Sequence, residues 1–234
     1  MKPILFNTEM VRAILDGRKT VTRRLVKFKD GQNPRWSGYV ADGPVVYGSH
    51  NIPAVKAPLQ AGDILYVRET WFKDAGRYMY RANYSNDEKF YRNGQEVTLR
   101  WRPSIHMPKE AARIFLRVKD VRAERLQDIT VDQVAAEGVD NVVPCDNSEY
   151  LCNYCPLEDS AKGVSYYGGS VHMCEGSHCN EALDYWEEEF IGEFAALWDS
   201  TIKPADLAEY GWDANPWVWV IRFEKISKEE AMKC

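Results

Sequence analysis

The chain has 234 residues, 45% hydrophobic and 28% charged, with a formal net charge of −5, which suits one sizeable domain or one domain with a large insertion. No apolar run approaches the roughly 20 residues that a bilayer-crossing helix needs. The start, Met1-Lys-Pro-Ile-Leu-Phe, has neither the apolar stretch nor the small-residue cleavage site of a secretory leader. The expected location is the cytoplasm, where cysteines serve as metal ligands or free thiols rather than as disulfides.

The net charge hides a split. Residues 1–125 hold 24 Lys+Arg against 13 Asp+Glu, whereas residues 126–234 hold 6 against 22. A basic half suits a polyanionic partner; equally, two halves of opposite sign can neutralise each other in the fold. The charge map permits nucleic acid without requiring it.

In chain order, Glu9 to Leu15 reads as a short helix with Met10, Val11, Ile14 and Leu15 on its apolar side and Gly17 as its stop. Lys19 to Val26 is extended. Lys27 to Leu59, rich in Gly, Pro and Asn, reads as a long loop with strand fragments. Gly62-Asp63 turns the chain into Ile64 to Val67, a buried strand. Tyr78 to Arg102 has the pattern of a hairpin around Asn93-Gly94. Ala111 to Val121 contains the alternation Ile114, Leu116, Val118 of a half-buried strand.

Leu126 to Gly138 is expected to be helical, capped by Asp128 or Thr130 and ended by Gly138. A second helix is expected from about Glu181 to Trp198, with Leu183, Trp186, Phe190, Phe194 and Leu197 at helical spacing. Trp217 to Phe223 closes the chain as a strand with Trp217, Trp219, Ile221 and Phe223 on one face. Short strands with a few helices and no βαβ alternation point to an α+β fold around a small barrel.

The segment Ile4-Leu5-Phe6, followed by Met10-Val11-Arg12-Ala13-Ile14-Leu15-Asp16-Gly17-Arg18-Lys19-Thr20-Val21-Thr22-Arg23-Arg24, resembles the ASCH family. Its members share a short helix, a Gly and a Lys-Thr-x-Thr-x-Arg segment. Gly62-Asp63-Ile64-Leu65-Tyr66-Val67-Arg68-Glu69 and the helix ending Ala136-Glu137-Gly138 match further family segments. With Asn215-Pro216-Trp217-Val218-Trp219, the arrangement looks like ASCH proteins of phages and prophages. The resemblance covers residues 1–138 and 181–234 and leaves 139–180 as an insertion. It implies an α+β, PUA-like small β-barrel with flanking helices, suited to RNA or a modified nucleoside.

One branch of the family hydrolyses acetylated cytidine with a Lys, a Thr and a Glu, which fall on Lys19, Thr22 and Glu137, with Arg24 also matching. A Lys in a partly desolvated cleft can take the proton of a Thr hydroxyl, a carboxylate can position that Lys or activate water, and an Arg can stabilise an oxyanion or hold a phosphate. In regular strand geometry Lys19 and Thr22 point to opposite faces, so they converge only if the turn after Gly17 is irregular.

The proposed insertion holds Cys152-Asn-Tyr-Cys155 and, after an 18-residue spacer, Cys174-Glu-Gly-Ser-His-Cys179. Close cysteine pairs across a loop can complete a tetrahedral thiolate shell, and zinc suits four thiolates best. Zn2+ held by Cys152, Cys155, Cys174 and Cys179 would be structural, since protein fills all four positions. A redox pair and unligated thiols are the alternatives, and His172 and His178 are substitute ligands.

Trp71, Trp101, Trp212, Trp217 and Trp219 offer aromatic faces, with Trp217 and Trp219 expected in the core and Trp71 the best stacking candidate. Arg18, Arg23, Arg24, Arg68, Arg100 and Arg102 are candidate phosphate contacts, and Glu69 is grouped with Arg68 and Trp71 at the ligand. Three functions remain open: a module binding RNA or a modified nucleoside, an amidohydrolase acting on acylated cytidine, and a phage accessory factor that docks a protein partner through the zinc loop.

Overall fold

The computed structural model describes residues 1–28, 40–47, 54–139 and 177–233, side chains of 177–187 excepted, and the short backbone pairs 142–143 and 164–165. The chain divides into two units, Met1–Glu124 with Trp217–Cys234, and Arg125–Pro216. Both contain helices, and the fold is mixed α+β with several sheets.

In the first unit, β1 (Lys2–Leu5) leads into α1 (Thr8–Leu15). Asn7 caps α1 by accepting the Met10 N–H at 2.8 Å, and Val11, Ala13 and Ile14 are buried. Gly17, at φ +82°, lets the chain leave the helix sharply, into β2 (Val21–Leu25). β3 (Val40–Asp42), β4 (Val45–Tyr47) and β5 (Val55–Lys56) make a separate antiparallel sheet. The strand fragments expected in this stretch are therefore present.

β6 (Ile64–Arg68) follows the Gly62 turn. Two hairpins come next, where one was expected. β7 (Trp71–Asp74) pairs with β8 (Arg77–Tyr80), and β9 (Phe90–Arg92) with β10 (Gln95–Val97). Asn93-Gly94 turns the second, as its sequence predicts. Ala75-Gly76 turns the first, with Ala75 itself at φ +44°, a conformation that its side chain does not advertise.

β11 (Phe115–Arg125) runs further than its alternating segment suggests. The principal sheet has the order β1-β6-β11-β14-β2, where β14 is Trp217–Ile226. β1 runs parallel to β6, while β6–β11 and β14–β2 are antiparallel. One face packs Phe6, Leu65, Val67, Leu116, Trp219 and Ile221 into the main core. A second cluster gathers Ile64, Trp71, Met107 and Phe115. Val218 and Val220 are buried along with Trp217, Trp219, Ile221 and Phe223, so β14 is covered on both faces.

The sheet differs from the expected barrel. Among the described residues no ladder joins β1 to β2, so the sheet is not closed. A side chain spans its two edges instead: Arg24 Nη2 of β2 donates to the Leu5 carbonyl of β1 at 2.7 Å.

In the second unit, Leu126–Asp128 forms a 3-10 turn and α2 spans only Val131–Ala136. Ile129 and Thr130 are extended, which interrupts the longer helix expected here. Thr130 and Gln133 form a capping box, and Gly138 ends the helix at φ +83°. β12 (Val142–Val143) pairs with β13 (Val164–Ser165). α3 covers Ser177–Thr201, with Phe190, Phe194 and Trp198 buried. α4 (Leu207–Tyr210) follows, its Tyr210 carbonyl accepting from Trp198 Nε1 at 2.9 Å. α5 (Lys228–Lys233) belongs to the first unit and places Ala231 in the second core cluster. No helix among the described residues is long and apolar enough to cross a membrane.

Asp63 ties the turn before β6 to the chain start, accepting from Lys2 Nζ at 2.8 Å and from the Gln60 N–H at 2.9 Å. Burial opposes its charge, but those two bonds hold its carboxyl below the usual carboxylate range. A carboxyl more acidic when folded than when unfolded stabilises above its unfolded pKa, and that stabilisation is lost as pH falls through the folded value. Asp63→Asn should therefore lower the urea midpoint at pH 7, with the gap to the parent closing towards pH 3. A gap that stays constant with pH would contradict this account.

Candidate functional site

The site begins where β1 ends. Leu5 lies opposite Arg68 in the parallel β1–β6 pair, and the Phe6 N–H donates to the Arg68 carbonyl at 3.2 Å. This fixes Phe6 against Phe223, with ring centroids 6.2 Å apart. Two cations converge on the Phe6 ring. Lys19 Nζ lies 5.8 Å from its centroid and the Arg24 guanidinium carbon 5.2 Å, both within cation–π range.

The backbone explains how residues on different segments reach one ring. After Gly17 the chain is irregular, and the Lys19 N–H donates back to the Ala13 carbonyl at 3.0 Å. Lys19 therefore precedes the regular strand, and the face alternation that would separate it from Thr22 does not apply. Pairing is regular from Val21 onward, with Thr22 opposite Ile221 and Arg24 opposite Trp219. Thr22 and Arg24 thus share one face of β2. Arg23 lies on the other face, where its Nη2 is 3.5 Å from Glu124 Oε2; Arg122 engages the same Glu124. Arg18 pairs with Asp16 at 3.2 Å.

A second group sits at the end of β6. Arg68 Nε donates to the Met107 carbonyl at 2.8 Å. Glu69, only 1% exposed, takes Arg113 Nε and Nη2 at 2.9 Å each, a two-pronged ion pair. Arg113 also donates to Asn83 Oδ1 at 2.8 Å and lies 4.1 Å from the Tyr80 ring. Burial raises the Tyr80 pKa; the charges of Glu69 and Tyr78 add to the shift, and Arg113 opposes it. Trp71, expected to offer a stacking face, starts β7 and is 4% exposed.

Glu137 is the C-cap of α2 and its N–H donates to the Gln133 carbonyl at 3.0 Å. It is buried. Cys152, Cys155 and Cys174 lie outside the described residues, as does the side chain of Cys179. Among the described residues no three His, Cys, Asp or Glu side chains are grouped to hold a metal.

Comparison with family models, with curated proteins and with solved structures gives no match. The reading of the site therefore rests on its own chemistry. Among the described residues the buried polar and charged side chains are Lys19, Thr22, Arg23, Glu69 and Glu137. Every one had been singled out from the sequence. Burying an ionised group is costly unless it is paired, and such groups concentrate at functional sites.

Sequence reasoning missed the partners. Phe6 belongs to the motif but carried no role, and Arg113 and Tyr80 sit in segments read only as a strand and a hairpin. A buried Glu implies a cation, but nothing in local spacing says which of the many nearby arginines supplies it.

Removing Arg113 would strand a buried carboxylate. Arg113→Met is expected to cost about 3 kcal/mol of unfolding free energy, with Arg113→Lys recovering only part because Lys cannot supply the two-pronged bond. Urea unfolding of both variants measures this. A loss below about 1 kcal/mol in Arg113→Met would mean that Glu69 does not depend on the pair.

Proposed function

We propose that this chain is an ASCH-type, PUA-like domain that binds RNA or a modified nucleoside at the Phe6–Lys19–Arg24 side of β2. The observation that carries the reading is the concentration of buried polar groups in segments the resemblance rests on: Lys19, Thr22 and Arg23, then Glu69, then Glu137. Two cations held against the buried Phe6 ring concentrate positive charge there, which a phosphate or a carbonyl oxygen of a nucleotide would meet. A curled sheet whose edges Arg24 bridges is compatible with a PUA-like pseudo-barrel.

The test is binding of a fluorescein-labelled oligoribonucleotide, followed by anisotropy at rising salt. Arg24→Gln is expected to weaken binding about tenfold, the loss that follows from one charge-assisted hydrogen bond of ~1.4 kcal/mol. Absence of binding at low salt, where electrostatic association is strongest, would sink the reading.

A second reading is deacylation of an acylated cytidine. It is favoured by the burial of Lys19 and Thr22, the two residues of that chemistry that lie together in the first unit. In it the Lys19 amine takes the Thr22 hydroxyl proton as Oγ attacks the acyl carbonyl. The cytosine amine leaves with a proton, and water then hydrolyses the threonyl ester to release the carboxylic acid. Incubation with acetylcytidine should release acetate. Thr22→Val, nearly isosteric, should abolish release while the fold is retained; turnover unchanged in that variant would rule out the threonine nucleophile.

The spacing of Cys152, Cys155, Cys174 and Cys179 supports a further proposal, a structural zinc site in the segment 139–180. Purified protein should carry about one zinc per chain, and Cys152→Ser should lose it with little effect on oligonucleotide binding. Retention of full zinc in that variant would exclude the four-cysteine set.

A further inference from the structure

The second core cluster is ringed by cations that have no carboxylate partner among the described residues. Lys73 and Tyr78 are cross-strand neighbours in the β7–β8 hairpin, with Lys73 Nζ 4.8 Å from the Tyr78 ring centroid. Arg102 lies 5.2 Å from the Trp71 ring and pairs with Trp71 through the backbone, donating its N–H at 2.7 Å and accepting one at 3.1 Å. Lys109 Nζ lies 5.9 Å from the Tyr66 ring. Arg68, two residues beyond Tyr66 on the same face of β6, is held by the Met107 carbonyl. Trp71 and Met107 lie in this cluster, and Tyr66, Tyr78 and Tyr80 pack against it. The Trp71 and Tyr78 rings are 5.8 Å apart.

Among the described residues no ion pair engages Arg68, Lys73, Arg102 or Lys109. The acids nearby are few. Glu69 is taken by Arg113, and Glu110 accepts from the Tyr78 hydroxyl at 3.0 Å. Lys73, Arg102 and Lys109 are exposed, yet each head is placed by a ring rather than neutralised by a carboxylate. In addition, the buried Trp71 Nε1 has no hydrogen-bond acceptor.

We propose that this face, formed by Arg68, Lys73, Arg102 and Lys109 over Tyr66, Trp71 and Tyr78, binds the phosphate backbone of a single-stranded polynucleotide. The inference rests on the nucleic-acid reading above and deepens it: the ligand is a strand several nucleotides long, not a free nucleoside. A row of cations over aromatic rings, with little acid among them, matches the alternation of phosphate and base along such a strand. An acidic peptide would meet the same charge but has no bases to lie against Tyr66 and Tyr78, which are half-buried, whereas Trp71 is buried beneath.

The experiment compares the full chain with a Lys73→Gln/Arg102→Gln/Lys109→Gln variant, all three positions being exposed, after circular dichroism and a melting curve have confirmed the fold. The probes are a labelled 15-mer oligouridylate, cytidine, and polyglutamate as competitor. The parent's affinity for the 15-mer should fall with salt, and the variant should bind at least tenfold more weakly at moderate salt. The slope of log affinity against log salt should drop by about 2, three phosphate contacts at about 0.7 each. Cytidine binding should be unchanged in this variant and weakened by Arg24→Gln. An unchanged salt slope overturns the proposal, as does polyglutamate competing as well as unlabelled oligouridylate. Loss of cytidine binding in the parent, with the slope change intact, would instead overturn the nucleoside site and leave the strand-binding face standing.

Discussion

An open β-sheet has two edges to satisfy, and in the first unit Arg24 ties them together. Its Nη2 reaches from β2 to the Leu5 carbonyl on β1, at the far end of the strand order. The same guanidinium lies over Phe6, the residue after Leu5, so one side chain bridges the edges and covers the ring between them. A backbone ladder would have closed the sheet and left no place for the Lys19 and Arg24 heads.

That constraint reaches into the rest of the unit. Phe6 is fixed from below by the parallel pairing of β1 with β6, and the Phe6 N–H continues that ladder to Arg68. The next residue along β6 is Glu69, whose carboxylate is held by Arg113 and whose N–H lies 3.2 Å from the Met107 sulfur. Arg113 in turn sits on Tyr80 of the β7–β8 hairpin. A displacement of β1 would therefore be felt at Phe6, at Glu69 and at the hairpin together.

Much of this was legible from sequence because local signals were strong. The apolar stripe of Met10, Val11, Ile14 and Leu15 with its Gly17 stop marks α1, the Asn93-Gly94 pair marks its hairpin, and the aromatic alternation of Trp217 to Phe223 marks β14. Where signals conflicted, the reading was incomplete. Ala75-Gly76 turns a hairpin with an alanine in the left-handed region, which no propensity suggests. Ile129 and Thr130 adopt extended conformations and shorten the helix expected from Leu126. The link between the edges of the main sheet was the least legible, since it turns on a long-range bond between Arg24 and Leu5 rather than on either strand's own pattern. Of the site, the chain-local residues could be named, while their partners could not.

The first unit carries 27 Lys+Arg against 16 Asp+Glu, so at least 11 cations lack a carboxylate of their own within it. Repulsion among them favours expansion, which packing has to outweigh. Aromatic rings position several of the heads. Arg81 lies over Trp101, and Lys73, Arg102 and Lys109 take Tyr78, Trp71 and Tyr66. An ion pair fixes a cation and cancels its charge; a ring fixes it and leaves the charge in place. The unit thus holds positive groups in set positions at little further ordering cost, which is the preorganisation that makes anion binding strong. Its charge excess and its aromatic content are two parts of one arrangement: the rings place these cations without cancelling their charge.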